Sequence, residues 1–285
     1  MRLLQTQNSG APIGIFDSGV GGLTVAKKIF QLLPKEDVIY FGDTARYPYG
    51  PRSKEIVKKL SVQNMNFLLS QKVKLIVVAC NTASALALDD LEEHQEVPMI
   101  GVIKPGASAA VKATRIGRIG VIGTLGTISS EAYQKAIYEI DPQKKVYSVA
   151  CPLFVALAEE GYIDKEATYL IAQTYLAPLI KRKVDTLVLG CTHYPLLKKV
   201  VSKTMGKEVK LIDSAEETAV EVERVLTEKG LLKRTNKIPF RKFYVSDVPD
   251  RFVQVGERFL SEGSPASGGG KDKIIEVERI DIEKY

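Results

Sequence analysis

Short runs of consecutively apolar residues recur along this chain, each followed by a stretch with helical periodicity. That alternation limits the fold more than any other feature. The runs are Ile13 to Phe16, Val38 to Phe41, Leu75 to Ala79, Met99 to Ile103, Ile119 to Ile122, Val146 to Val149, Thr186 to Leu189 and Val209 to Ile212. Several are apolar at successive positions, so burial on both faces is expected, as in a parallel sheet covered by helices. Helical segments between them include Leu23 to Leu33, Ser53 to Gln71, Ser129 to Ile140, Lys165 to Lys181 and Ala215 to Lys229. The alternation predicts an α/β fold with mainly parallel sheets flanked by helices.

The pattern also repeats. Ile13-Gly-Ile-Phe-Asp17-Ser18 resembles Ile119-Gly-Val-Ile-Gly123-Thr124, 106 residues on. Val73-Lys-Leu-Ile-Val-Val-Ala-Cys80-Asn-Thr82 resembles Val184-Asp-Thr-Leu-Val-Leu-Gly-Cys191-Thr-His193, 111 residues on. Two similar offsets in one order predict two lobes of like topology facing each other. The chain is expected to cross near Pro105 and return near Asp213, giving lobes of residues 12–104 plus 214–285 and of 105–213. Ser261 to Gly270 reads as a flexible loop by composition, and Ile274 to Ile282 as a final edge strand.

With 285 residues, each lobe has enough chain for its own core. No apolar run approaches the roughly 18 residues of a membrane span, and Met1 to Pro12 lacks the apolar core of a secretory signal. Three cysteines without C-x-x-C spacing argue against a disulfide framework or a zinc ribbon, so a reducing cytoplasm is the expected compartment. The net charge of +6 is spread among acidic residues, as in Lys181-Arg-Lys-Val-Asp185, with no basic run interleaved with aromatics. Nucleic-acid and membrane partners are therefore not expected. A small-molecule substrate is; the homodimer also expected rests on the family resemblance given below.

In open α/β sheets, ligands sit beyond the carboxyl ends of the strands. Asp17-Ser18, Cys80-Asn81-Thr82, Gly123-Thr124 and Cys191-Thr192-His193 all fall there. A thiol just before a helix N-terminus feels the positive end of the dipole, which is expected to lower its pKa toward neutrality. Asn81 or Thr82, and Thr192, are candidate helix caps, and Pro195 suits an early helical position. A single buried cysteine is usually a small hydrophobe. Two at equivalent strand ends, flanked by Thr and His, read instead as a pair of acid/base groups. Cys151, in Ala-Cys-Pro, has no counterpart and reads as structural.

His193 is placed to share a proton with Cys191, and Asp17 to do the same for Cys80 or to hold a substrate ammonium. His94 lies in a polar helical stretch and is expected at the surface; two histidines rule out a three-His metal site. Gly19-Val-Gly21-Gly22-Leu-Thr24, with Asp43 about 20 residues on, approximates a dinucleotide fingerprint but has Thr24 in place of the third glycine. The loop is still expected to hold an anion with backbone N–H groups, and Gly123-Thr124-Leu-Gly-Thr127 offers hydroxyls for a carboxylate. No cofactor and no metal are expected. A nicotinamide oxidoreductase, an exported two-lobed solute-binding protein and a pyridoxal-phosphate enzyme using Lys104 are the competing classes. The weak fingerprint, the missing export signal and the position of Lys104 beside Pro105-Gly106 count against them.

Phe16-Asp-Ser-Gly-Val-Gly-Gly-Leu-Thr24, Phe41-Gly-Asp-Thr-Ala-Arg-Tyr-Pro-Tyr-Gly50, Ala79-Cys-Asn-Thr-Ala83 and Gly190-Cys-Thr-His-Tyr-Pro-Leu-Leu197 resemble the motifs of the glutamate racemase family. The resemblance runs from about Ile13 to the C-terminus. It implies two pseudo-symmetric lobes, an active site between them, and cofactor-independent interconversion of L- and D-glutamate that supplies peptidoglycan synthesis. It implies Cys80 and Cys191 as catalytic acid/bases, assisted by Asp17, His193 and a glutamate, taken as Glu159 rather than the adjacent Glu160. Ser18, Tyr49, Gly50, Asn81, Thr82 and Thr192 match substrate-binding positions, with Thr124 and Thr127 nearby. The related aspartate racemases usually carry an acidic residue where this chain has His193 and lack the Asp-Ser-Gly-Val-Gly-Gly opening, so glutamate is favoured.

Overall fold

The computed structural model describes residues 9–93, 95–235, 237–261 and 276–285. In chain order its strands are β1 (Ile13–Asp17), β2 (Val38–Gly42), β3 (Leu75–Val78), β4 (Met99–Gly101), β5 (Arg118–Gly123), β6 (Lys145–Ala150), β7 (Thr186–Gly190), β8 (Lys210–Asp213), β9 (Arg241–Val245) and β10 (Val277–Arg279). They form two sheets, ordered β10-β9-β2-β1-β3-β4 and β6-β5-β7-β8, and every pairing is parallel. The arrangement β2-β1-β3-β4 thus recurs as β6-β5-β7-β8. The internal repeat is this shared order, with β1 matching β5 and β3 matching β7.

β1, β2, β3 and β7 are buried along their whole length, as their unbroken apolar runs require. Helices cover both faces. Ser53 caps the helix Lys54–Ser70 by accepting from the Ile56 N–H at 3.4 Å. Asp213 caps Ser214–Glu228 by accepting from Ala215 N–H at 3.0 Å, and Glu216 and Glu217 suit the positive end of that helix. This helix packs against both Leu23–Leu32 and Ile103–Ala113, joining the outer layers of the two sheets. Ala158 and Leu196, from the half that carries the second sheet, enter the same apolar cluster as Ile13, Ile15 and Phe259.

Several boundaries differ from expectation. β9 was not foreseen: its first two residues, Arg241 and Lys242, are exposed and break the apolar run. The stretch expected as one helix from Ser129 divides, because Thr124 caps a short helix Leu125–Ser129 and a new helix begins at Ala132. Ile103 opens a helix rather than closing β4, Val209 lies before β8, and Ile282 opens a short 3₁₀ turn beyond β10. Ile274, His94 and the Ser/Gly-rich run after Ser261 lie outside the described residues. No helix among the described residues is long and apolar enough to cross a membrane.

Candidate active site

β1 lies between β2 and β3, and β5 between β6 and β7, so the chain leaves each central strand toward both edges. Such reversal points open a crevice at the carboxyl ends. The crevices of the two sheets share one cavity of about 470 Å³, whose wall includes Ser18, Cys80, Asn81, Thr124, Cys191 and His193. The thiols at the ends of β3 and β7 therefore meet across one space.

On the first side, Cys80 is itself the residue that precedes the helix Asn81–Leu86, so neither Asn81 nor Thr82 occupies the capping position. Its thiol donates to Ser18 Oγ at 3.6 Å. Burial pushes Cys80 up to about 12, and the Asp17 carboxylate adds to the rise; the Ala83 N–H and Ser18 pull the other way without prevailing. This reverses the expected lowering. A six-residue helix supplies a dipole effect of well under a few kcal/mol, whereas full burial moves ionisable groups by several pKa units. Asp17 is fully buried, and burial raises its pKa despite the nearby His193. Its Oδ2 accepts from the Gly19 N–H at 2.8 Å, and the Gly22 N–H also serves it. The anion held by the glycine loop is thus the chain's own Asp17.

On the second side, Cys191 Sγ lies 3.8 Å from His193 Nδ1, and His193 Nε2 lies 2.9 Å from Glu159 Oε1. Burial alone would lower the His193 pKa, but hydrogen bonds and charge from Cys191 and Glu159 outweigh it and raise it to about 10. Burial would raise Glu159, yet His193 and the Tyr47 hydroxyl hold it below the ordinary carboxylate range. Glu160 also borders the cavity, but its side chain is 67% exposed and pairs with Arg251 at 3.6 Å rather than with His193. Thr192 does not cap a helix; His193 precedes the 3₁₀ turn Tyr194–Leu197, in which Pro195 takes an early position. Cys151 is fully buried, with its thiol directed to Val149 O at 3.7 Å. Burial raises its pKa, as befits a packing residue.

The halves touch through polar groups that the sequence singled out. Thr82 Oγ1 lies 2.8 Å from Thr124 Oγ1 and 3.4 Å from Thr127 Oγ1, and Thr124 and Thr127 are 3.0 Å apart. Gly50 O accepts from the Gly126 N–H at 2.9 Å, and a Cβ at Gly50 would meet Thr124 Cβ at 2.9 Å. A Cβ at Gly21 would meet Thr192 Oγ1 at 2.3 Å and the His193 ring at 2.5 Å. Protein from the other half therefore occupies the space over the glycine loop where a dinucleotide would lie. Thr192 Oγ1 reaches Asp17 Oδ1 at 3.5 Å.

Most expected site residues line the cavity, Tyr49, Gly50, Thr82, Glu159 and Thr192 among them, while Asp17 and Thr127 stand behind its wall. The Tyr49 hydroxyl is committed to Asp43 and accepts from Asn64 Nδ2 at 3.0 Å. Asp43, the acidic residue of the weak fingerprint, also takes Arg46 and Ser246 Oγ, both with contacts of 2.9 Å. Lys104 is exposed and lines a different cavity. Among the residues that escaped the sequence reading are two tyrosines. Tyr133 donates to Asn81 Oδ1 at 2.8 Å from the opposite half, with no motif to signal it. Tyr47 stacks on His193 with centroids 6.2 Å apart; it stands inside a quoted motif but was passed over for Tyr49.

Residues 13–222 match the family described as Asp/Glu/hydantoin racemase. The chain belongs to that family. Within the Asp/Glu/hydantoin racemase family it is 58% identical to a glutamate racemase of Geobacter metallireducens, over 95% of this chain and 97% of the relative. A glutamate racemase isoform from Bacillus anthracis has a similar structure, with a TM-score of 0.88 at 45% identity over 95% of this chain and 97% of that one. The Francisella tularensis glutamate racemase, solved in complex with D-glutamate, gives a TM-score of 0.88 at 40% identity, covering 97% and 100% of the two chains. The fold anticipated for this racemase, two parallel-sheet lobes facing each other, is the one observed.

Proposed function

We propose that this protein interconverts L- and D-glutamate without a cofactor, using Cys80 and Cys191 as opposed acid and base. The observation that carries this reading is the meeting of the two thiols across one cavity at equivalent strand ends. The α-hydrogen of an amino acid is a very weak acid, so its removal needs a base in contact and stabilisation of the carbanion. A thiol, with an ordinary pKa near 8.5, serves as either acid or base near neutrality once its surroundings are tuned. The Thr82 and Thr124 hydroxyls, 2.8 Å apart on the cavity wall with Thr127 behind them, would bind a carboxylate and spread the developing charge.

In this reading one sulfur takes the α-proton from one face of Cα while the other returns a proton to the opposite face. The product enantiomer uses the same groups with roles exchanged. Asp17 assists the Cys80 side and the His193–Glu159 pair the Cys191 side. Ser18, Asn81, Thr192, Tyr49 and Gly50 shape the substrate's surroundings.

The lobes are proposed to be residues 12–104 with 214–285, and 105–213; packing of the helix Ile103–Ala113 against β7 and β8 supports the first crossing. A homodimer, a cytoplasmic location and supply of D-glutamate for peptidoglycan complete the proposal, resting on the family resemblance. Chiral chromatography of L- and D-glutamate incubated with purified protein, without added cofactor, tests it. Convergence on equal amounts of both enantiomers is expected. No conversion of glutamate, or faster conversion of aspartate, would overturn it.

A further inference from the structure

The Cys191–His193–Glu159 chain belongs to one half of the molecule, yet three side chains from the other half close around it. The Tyr47 ring stacks on the His193 ring at 6.2 Å and 28°, and the Tyr47 hydroxyl donates to the Glu159 carboxylate. The Phe259 ring meets the same imidazole edge-on, at 5.3 Å and 87°. Its neighbour Arg258 donates from Nη1 to the Glu159 backbone carbonyl at 2.6 Å. That carbonyl ends the helix Leu153–Glu159, and the N–H groups of the turn that follows go to Ala158 and Leu157 instead. Arg258 and Phe259 are adjacent on the helix Pro249–Ser261, which packs on Leu23–Leu32 and β10 of the first half. One helix thus addresses both ends of the His193–Glu159 hydrogen bond.

We infer that Tyr47, Arg258 and Phe259 are positioning residues that complete the Cys191 relay from the opposite lobe, so that Glu159 and His193 are aimed at the sulfur only when the lobes are closed. The inference rests on the racemase reading above. Closure would then do more than exclude water: it would assemble one of the two acid/base groups. On the Cys80 side, Ser18 and Asp17, the groups that act on the thiol itself, come from its own lobe, and the other half reaches Asp17, through Thr192, and Asn81, through Tyr133. The charged or titratable groups facing the His193–Glu159 pair are Cys191, Asp17, Tyr47, Arg251 and Arg258.

The test is a pH profile of kcat and KM for both enantiomers, with Tyr47→Phe and Arg258→Met made singly and in a Glu159→Gln background. Tyr47→Phe keeps the stacked ring, and thermal melting checks that each variant folds. Each single variant should lower kcat about 3- to 10-fold, the scale of one lost hydrogen bond, with KM changed little. The alkaline limb should move to lower pH, because a less well-held Glu159 lets His193 lose its proton sooner. In the Glu159→Gln background neither change should slow the enzyme further. Losses that multiply in that background, or that are uniform across pH, would overturn the inference in favour of simple packing. A wild-type protein that fails to racemise at all would instead remove the racemase reading on which it stands.

Discussion

The two thiols end equivalent strands, β3 and β7, yet their surroundings are electrostatic opposites. Cys80 faces a buried carboxylate, Asp17, and is pushed up to about 12. Cys191 faces the His193 imidazole, whose pKa is raised to about 10, so a positive charge stands beside that sulfur at neutral pH. Repeated backbone topology supplied two equivalent places for sulfur, and non-repeated side chains made the places unequal. A racemase needs such inequality, because at any moment one group must hold a proton and the other must be ready to take one.

Removal of either thiol gives the largest expected effect. Cys80→Ala or Cys191→Ala should each lower kcat/KM for both enantiomers by about 10³-fold or more, read by polarimetry. Equal losses in both directions are required, since the enantiomers are of equal energy. Retention of near wild-type rate in either variant would break the pairing.

The next effect separates the two sides. His193→Gln should cost about 10²-fold in kcat. Asp17→Asn should also slow racemisation, yet it removes a negative charge beside Cys80, so iodoacetamide should label Cys80 faster at pH 8 than in wild type. Mass spectrometry of the labelled peptide reads this, and slower labelling would mean that Asp17 does not hold the thiol up.

A smaller effect concerns stability. His193 is raised from 6.5 to about 10, so its charged form stabilises the fold fully below about pH 6.5, and that contribution fades as pH rises through about 10. The melting temperature of wild type should exceed that of His193→Gln most at pH 6, with the gap closing by pH 10. A gap that widens with pH would contradict the sign. Smallest is Cys151→Ala, which should leave kinetics unchanged and cost about 1 kcal/mol, a few degrees of melting temperature.

Strand ends, the repeat and the paired cysteines were legible in the sequence because buried parallel strands write unbroken apolar runs. β9 was hidden because Arg241 and Lys242 are exposed at an outer part of the sheet. The Cys80 environment was misjudged for a different reason. Its sequence neighbours announce a helix start, which favours thiolate, while burial and Asp17, 63 positions away, dominate in the fold. The choice between Glu159 and Glu160 needed geometry too, since adjacent residues on a helix end point to different places. Tyr133 and Phe259 carry no local signal; they matter only through the partner that the fold brings to them.

The central claim is that two monoprotic thiols act on opposite faces of Cα. Proton NMR of L-glutamate incubated with the wild-type protein in D2O tests it directly, with the enantiomers resolved at early times. A thiol that has taken a proton returns that same proton, while the opposite thiol carries deuterium from solvent. The account predicts D-glutamate deuterated at Cα alongside recovered L-glutamate that still carries protium, with the mirror result from D-glutamate. Protium retained in the early product, or deuterium washed into the recovered substrate, would contradict it.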